Sequence, residues 1–260
     1  MNIPQEVLDL APWSTYMANL ALSCPWAFDR KYRKKEKAAG PPPEKQTVGK
    51  VVHKVLEFAV QGVPLTRVYN QVMASFDLTH NMKEMVLTYR DAVEDFLARL
   101  ERFKTRESVT KVWPERRLAI KPDFSSCKFF DNDGLFRGII DLTLLTGNKR
   151  CVVIDHKSGN VKDLRHHQDQ LEGYAVILAA QMPEVTAVRA ALNPLGGSPK
   201  DDGRRLVWGR EHPAEYINTN LRASLIKVLT RAASSVQTDE PKKSWMCDWC
   251  DYRLICPSHT

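Results

Sequence analysis

The sequence predicts an α/β protein, a central sheet flanked by helices, and three observations carry that expectation. Up to about position 104 apolar residues recur at helical spacing. From 109 to 155 they fall into short β-branched runs, and beyond 164 helical and strand-like stretches alternate. A chain of 260 residues, 43% hydrophobic and 27% charged, can bury one large core, or a core with a small cap, without covalent staples.

The elements follow in order. A helix is expected over 23–37, entered at Ser23 and Pro25, with Trp26, Phe28 and Tyr32 as its apolar contacts. The run Gly40-Pro41-Pro42-Pro43 breaks it, and helical spacing resumes over 47–61 through Val51, Val55, Leu56 and Val60. Strands are expected at 112–120, 135–145 and 150–155, the last two joined by the hairpin turn Thr146-Gly147-Asn148-Lys149. A helix over 164–181, strands at 186–192 and 204–208, and a long amphipathic helix over 213–236 complete the core. A polar linker, 237–243, leads to a cysteine-rich tail, and there is no internal repeat or low-complexity stretch. Three regions result: a helical region 1–108, a core 109–236 and a tail 237–260.

Net charge is +7 and the pI about 9.1, which suits a polyanionic partner such as nucleic acid. Arg30, Lys31, Arg33, Lys34, Lys35 and Lys37 crowd one segment, either a phosphate-binding surface or a solvated helix face. No apolar run approaches eighteen residues and the first thirty positions carry no secretory pattern, so neither a membrane span nor export is expected. Six cysteines in such a chain point to a reducing, cytoplasmic setting and to metal binding rather than a disulfide framework. Cys24, Cys247, Cys250 and Cys256 are the set that termini brought together would assemble, around zinc or an iron–sulfur cluster. Cys127 and Cys151 are expected to be structural.

The chemistry concentrates at Asp141 and at Asp155-His156-Lys157. Acid-x-lysine triplets also occur at Asp29/Lys31 and Glu240/Lys242, but only Asp155 follows a buried-strand run, Cys151-Val152-Val153-Ile154. Asp155 and Lys157 then share one face of the strand. Asp141 interrupts Ile139-Ile140-Asp141-Leu142 on the hairpin partner, and two carboxylates among branched apolar residues suggest a shared cation. The alternative is two rim aspartates with a lysine partner. Oxygen ligands for Mg²⁺ or Mn²⁺ beside an ammonium group suit phosphodiester hydrolysis. His53 lies on an apolar helical stripe, either completing the metal shell or sitting as a core histidine.

Several motifs occur here in a set order. They are Ser23-Cys24-Pro25 with Phe28 and Tyr32; Gly49 and His53; Gly138-x-x-Asp141; Asp155-x-Lys157; Gln170-Leu171-Glu172-Gly173-Tyr174; and Cys247-x-x-Cys250-x5-Cys256. In that order the chain resembles RecB-type nucleases of the PD-(D/E)XK superfamily. Its tail is similar to the iron–sulfur subgroup that includes CRISPR-adaptation exonucleases and AddB-type subunits. With no GxxxxGK[ST] loop, the chain looks like the stand-alone exonucleases rather than the helicase fusions.

The resemblance implies a restriction-endonuclease-like mixed sheet. It makes His53, Asp141, Asp155 and the His156 carbonyl metal ligands, Lys157 the catalytic lysine, and Gln170 and Tyr174 site-lining residues four apart on one helix face. Asp155 stands where related exonucleases often carry glutamate, and Glu115 is a further candidate acid. At the cysteines the resemblance implies a structural [4Fe–4S] cluster. The expected activity is a Mg²⁺- or Mn²⁺-dependent DNA exonuclease acting from single-stranded ends, 5′→3′, with the basic segment after Cys24 on the phosphates. The second reading is a non-catalytic, zinc-containing module that binds DNA or recruits a partner. An oligomer or a protein partner is compatible with either.

Overall fold

The computed structural model describes residues 2–159, 161, 164–196 and 206–258. Helices α1 (Gln5–Leu8), α2 (Thr15–Ser23), α3 (Pro25–Phe28), α4 (Glu44–Val60), α5 (Leu65–Ala74), α6 (His80–Leu87) and α7 (Arg90–Arg106) precede the sheet. Strands β1 (Val109–Ile120), β2 (Ser126–Cys127), β3 (Phe136–Thr146) and β4 (Arg150–Lys157) follow. After them come α8 (Gln168–Gln181), β5 (Ala187–Pro194), β6 (Val207–Pro213), α9 (Ala214–Tyr216) and α10 (Arg222–Ser235). Among the described residues no helix is long and apolar enough to cross a membrane.

The six strands form one mixed sheet in the order β2-β1-β3-β4-β5-β6. Every neighbouring pair is antiparallel except β4 and β5. A parallel pair needs a crossover, and α8 supplies it. Strand β4 is buried on both faces, as its unbroken apolar run predicts, and its alternate residues enter different cores. Cys151 and Val153 pack with α2, α8 and α10, whereas Val152 and Ile154 pack with α4 to α7. Helix α4 is held through a stripe of Val48, Val51, Val52, Val55, Leu56 and Ala59, all buried, at the spacing of one helical face.

The expected helix over 23–37 is interrupted. Ser14 caps α2 by accepting from the Met17 N–H, and that helix ends at Ser23. Cys24 is extended, and Pro25 then opens α3 at the position where its missing N–H costs nothing. A wide turn over Asp29–Arg33 follows, and Lys35, at φ 53°, takes a left-handed conformation. The expected 213–236 helix forms as α9 and α10, joined by a second wide turn at Ile217–Leu221. Of the expected strand at 204–208, β6 begins at Val207; Arg204 and Arg205 lie outside the described residues.

The basic segment ties the tail down. Arg30 pairs with Glu36, Lys31 with Asp251, Arg33 with Asp29, and Lys34 with both Asp29 and Asp239. Arg33 also donates to the Val236 carbonyl at 2.8 Å, Tyr252 Oη donates to the Glu36 carbonyl at 2.9 Å, and Trp26 meets Tyr252 edge-on. Four of its six cations thus face carboxylates of their own chain, Asp29 and Glu36 close in sequence and Asp239 and Asp251 in the tail.

Candidate functional site

The site begins with strand register. Leu142 pairs with Ile154 and Thr143 with Val153, so the next step of the hairpin sets Asp141 opposite Asp155. On the other side of β3, Pro114 pairs with Leu142 and Arg116 with Ile140, which sets Glu115 opposite Asp141. Three acids from three adjacent strands therefore lie in one row. Glu115 has φ 46°, a left-handed conformation uncommon for a residue with a side chain and shared here by Lys35, Ser108, Phe124 and Lys149.

Helix α4 brings His53 to this row. Its Nδ1 is 3.4 Å from Asp141 Oδ1, while Asp141 Oδ2 accepts from the His156 backbone N–H at 2.7 Å. Ligand atoms of His53, Glu115 and Asp141 all lie within 4.8 Å of one another, a spacing one metal ion can bridge. Among the described residues this is the one group of three such donors that converges so closely. A groove of about 410 Å³, lined by Gly49, Lys50, His53, Lys54, Glu115 and Asp141, opens onto them. Gly49 allows the close approach, because a Cβ there would stand 3.1 Å from Ser158 Oγ at the end of β4.

Asp155, 2% exposed, lies on the inner side of that row. Lys157 Nζ stands 2.6 Å from its Oδ2 as an ion pair. Lys157 Nζ also donates to Gln170 Oε1 at 3.1 Å, and Gln170 Nε2 donates to Tyr174 Oη at 2.8 Å, so α8 carries a relay to the lysine. Gly138 makes room for it: a Cβ at that position would come within 2.9 Å of Tyr174 Cε1.

The His156 side chain turns to the opposite face. Asn193, its partner in the β4–β5 register, donates to Nδ1 at 3.0 Å, leaving the ring proton on Nε2. The ring packs edge-on against Phe96 and His53. Asn193 is fully buried and went unnoticed in the sequence, where an asparagine after an apolar run looks like a turn residue.

The charges act on one another. Burial opposes the His53 cation, but the charge and hydrogen bond of Asp141 outweigh it and hold the imidazole at about 8. Burial likewise opposes the Asp141 carboxylate, yet His53 keeps it at about 2. Asp155 is pushed up to about 6 by burial and by Asp141, against the pull of Lys157. Burial, with Asp141 and Glu57, lifts Glu115 to about 7. Burial drives His156 down to about 3, keeping it neutral. Crowded carboxylates of this kind are what a divalent cation relieves.

At the tail, Cys24 and Cys256 are buried and Cys247 and Cys250 half-buried, all four as free thiols. Burial pushes the Cys250 thiol up, and the Ala39 N–H donates to the Asp251 carbonyl at 2.9 Å, so the two ends of the chain meet. The Ser244 N–H points to Cys247 Sγ at 3.3 Å and the Tyr252 N–H to Cys250 Sγ at 3.4 Å.

No curated protein matches the chain. It is similar to a solved structure titled "Crystal structure of SSO0001", with 14% identity and a TM-score of 0.40 over 98% of this chain and 94% of that one, too distant to carry an argument. The family model of the PD-(D/E)XK nuclease superfamily matches residues 12–257, spanning the sheet, the acidic row and the cysteine tail. The chain belongs to the PD-(D/E)XK nuclease superfamily.

Proposed function

We propose that this protein is a Mg²⁺- or Mn²⁺-dependent DNA exonuclease that works from single-stranded ends, 5′→3′, in a reducing cytoplasmic setting. The observation that carries the reading is the row Glu115, Asp141, Asp155 with His53 above it and Lys157 beside it. The donors are mostly hard oxygens, which suits those ions. His53, Asp141, Asp155 and the His156 carbonyl are the proposed ligands, with Glu115 added by its place in the row. A bound ion would polarise the scissile phosphoryl group and acidify its water. Lys157, steered by Asp155 on one side and Gln170 on the other, orients that water and offsets developing charge, and Tyr174 fixes Gln170. In this reading the helical region 1–108 and the tail 237–260 frame a nuclease core over 109–236. Degradation of end-labelled single strands with Mn²⁺, abolished by chelator, tests it; an inactive wild-type protein would refute it.

Metal affinity should climb steeply from pH 6 to pH 8. Asp155, Glu115 and His53 each hold a proton more tightly folded than unfolded, so the metal-free protein loses stability as pH rises through about 6, 7 and 8. Metal must displace those protons, so its binding strengthens over the same window with proton release. Calorimetry in two buffers of different ionisation enthalpy checks this, and a pH-independent isotherm would contradict it.

At Cys24, Cys247, Cys250 and Cys256 we propose a structural [4Fe–4S] cluster joining the tail to the start of α3. Anaerobically purified protein should be brown, with broad visible absorption that is lost in Cys250→Ser. A colourless protein carrying one equivalent of zinc would replace the cluster with a zinc site.

A further inference from the structure

A second groove, of about 370 Å³, runs between α7 and β6. Its floor is apolar: Phe96, Leu100, Ile154 and Leu206. Its rim is cationic, with Arg99, Arg102 and Arg106 spaced three and four apart along one face of α7. Arg99 pairs with Asp95 and Arg106 with Glu107, while Arg102 makes no ion pair among the described residues.

The groove ends in a preformed stack. Phe103 and Trp208 lie ring on ring, 5.9 Å between centroids. The Arg189 guanidinium covers Trp208 at 4.7 Å and that of Arg106 covers Phe103 at 5.4 Å. Stacking holds a guanidinium flat and leaves N–H edges for an anion such as phosphate. Beneath the groove, buried packing leads toward the metal site: Phe96 packs on His156 at 4.9 Å, and His156 meets His53 at 5.9 Å.

We propose that this groove binds a single nucleic-acid strand of the nuclease's substrate, a proposal that rests on the nuclease reading above. Arg102 and Arg106 hold the phosphates, and unpaired bases pack against the half-buried Phe103 and Trp208 rings. A duplex hides its base faces, so the apolar floor with its cationic rim selects a single strand.

The test measures binding of a labelled oligothymidylate by anisotropy in EDTA, where cleavage plays no part. The Arg102→Glu, Arg106→Glu double variant should melt like wild type and bind at least tenfold more weakly. The slope of log K against log salt should fall by about 1.4, roughly 0.7 for each phosphate on a single strand that is no longer neutralised. A 4-thiothymidine oligonucleotide should cross-link to the peptide containing Trp208. Unchanged affinity and slope in the double variant would overturn the groove, as would equal competition by duplex DNA or by polyglutamate, which would make it a generic anionic-partner surface. If wild type binds through the groove yet cleaves nothing, the nuclease reading falls and the groove stands; if wild type cleaves and the variant binds normally, the reverse holds.

Discussion

Asp141→Asn should reduce metal-dependent cleavage by about 10³-fold or more, since an ion that polarises a phosphoryl oxygen supplies several kcal/mol of transition-state stabilisation. Asp141 is the member of the row that touches everything else. One oxygen faces His53 and the other holds the His156 N–H at 2.7 Å. Asparagine keeps an oxygen to accept from that N–H, so the β3–β4 hairpin should survive and the thermal melt stay close to wild type. The charge, however, is gone. His53 loses the carboxylate that offsets its burial and should titrate at lower pH, and Mn²⁺ binding should weaken with it. An Asp141→Asn protein that binds and cleaves like wild type would remove Asp141 from the chemistry.

Lys157→Ala should lower the single-turnover rate by roughly 10²- to 10³-fold, the usual cost of deleting one preorganised electrostatic stabiliser, with DNA binding retained. The ammonium group also draws the Asp155 carboxyl down from where burial would take it. Without Lys157 the Asp155 proton is held more tightly, and the pH at which metal binds should move upward. That shift separates a direct electrostatic role from loss of packing, which would leave the pH midpoint in place. Lys157→Arg should not restore the rate, because a planar guanidinium cannot reproduce a compact point charge between Asp155 and Gln170.

Much of this site is legible in the bare sequence because carboxylates inside branched apolar runs are costly unless something partners them. Asp141 and Asp155 declare themselves in that way, and a hairpin turn between their strands is enough to set them side by side. The continuous run ending at Ile154 likewise identifies a strand buried on both faces. Glu115 is harder to see. It follows Pro114 in a polar stretch, and only the constant β1–β3 register sets it opposite Asp141. In the basic cluster after Cys24 the pairs with Asp29 and Glu36 are local, whereas Asp239 and Asp251 are more than two hundred positions away and come within reach only when the tail folds back. Asn193 depends on the parallel pairing of β4 with β5 across α8, a non-local contact that leaves no periodic trace.

The most direct test is anomalous diffraction from crystals grown with Mn²⁺. The account requires a peak about 2.1 Å from an Asp141 carboxylate oxygen, with His53 and at least one of Glu115 and Asp155 completing the shell. A peak bound elsewhere, with Asp141 still engaged only by His53 and the His156 N–H, would contradict it.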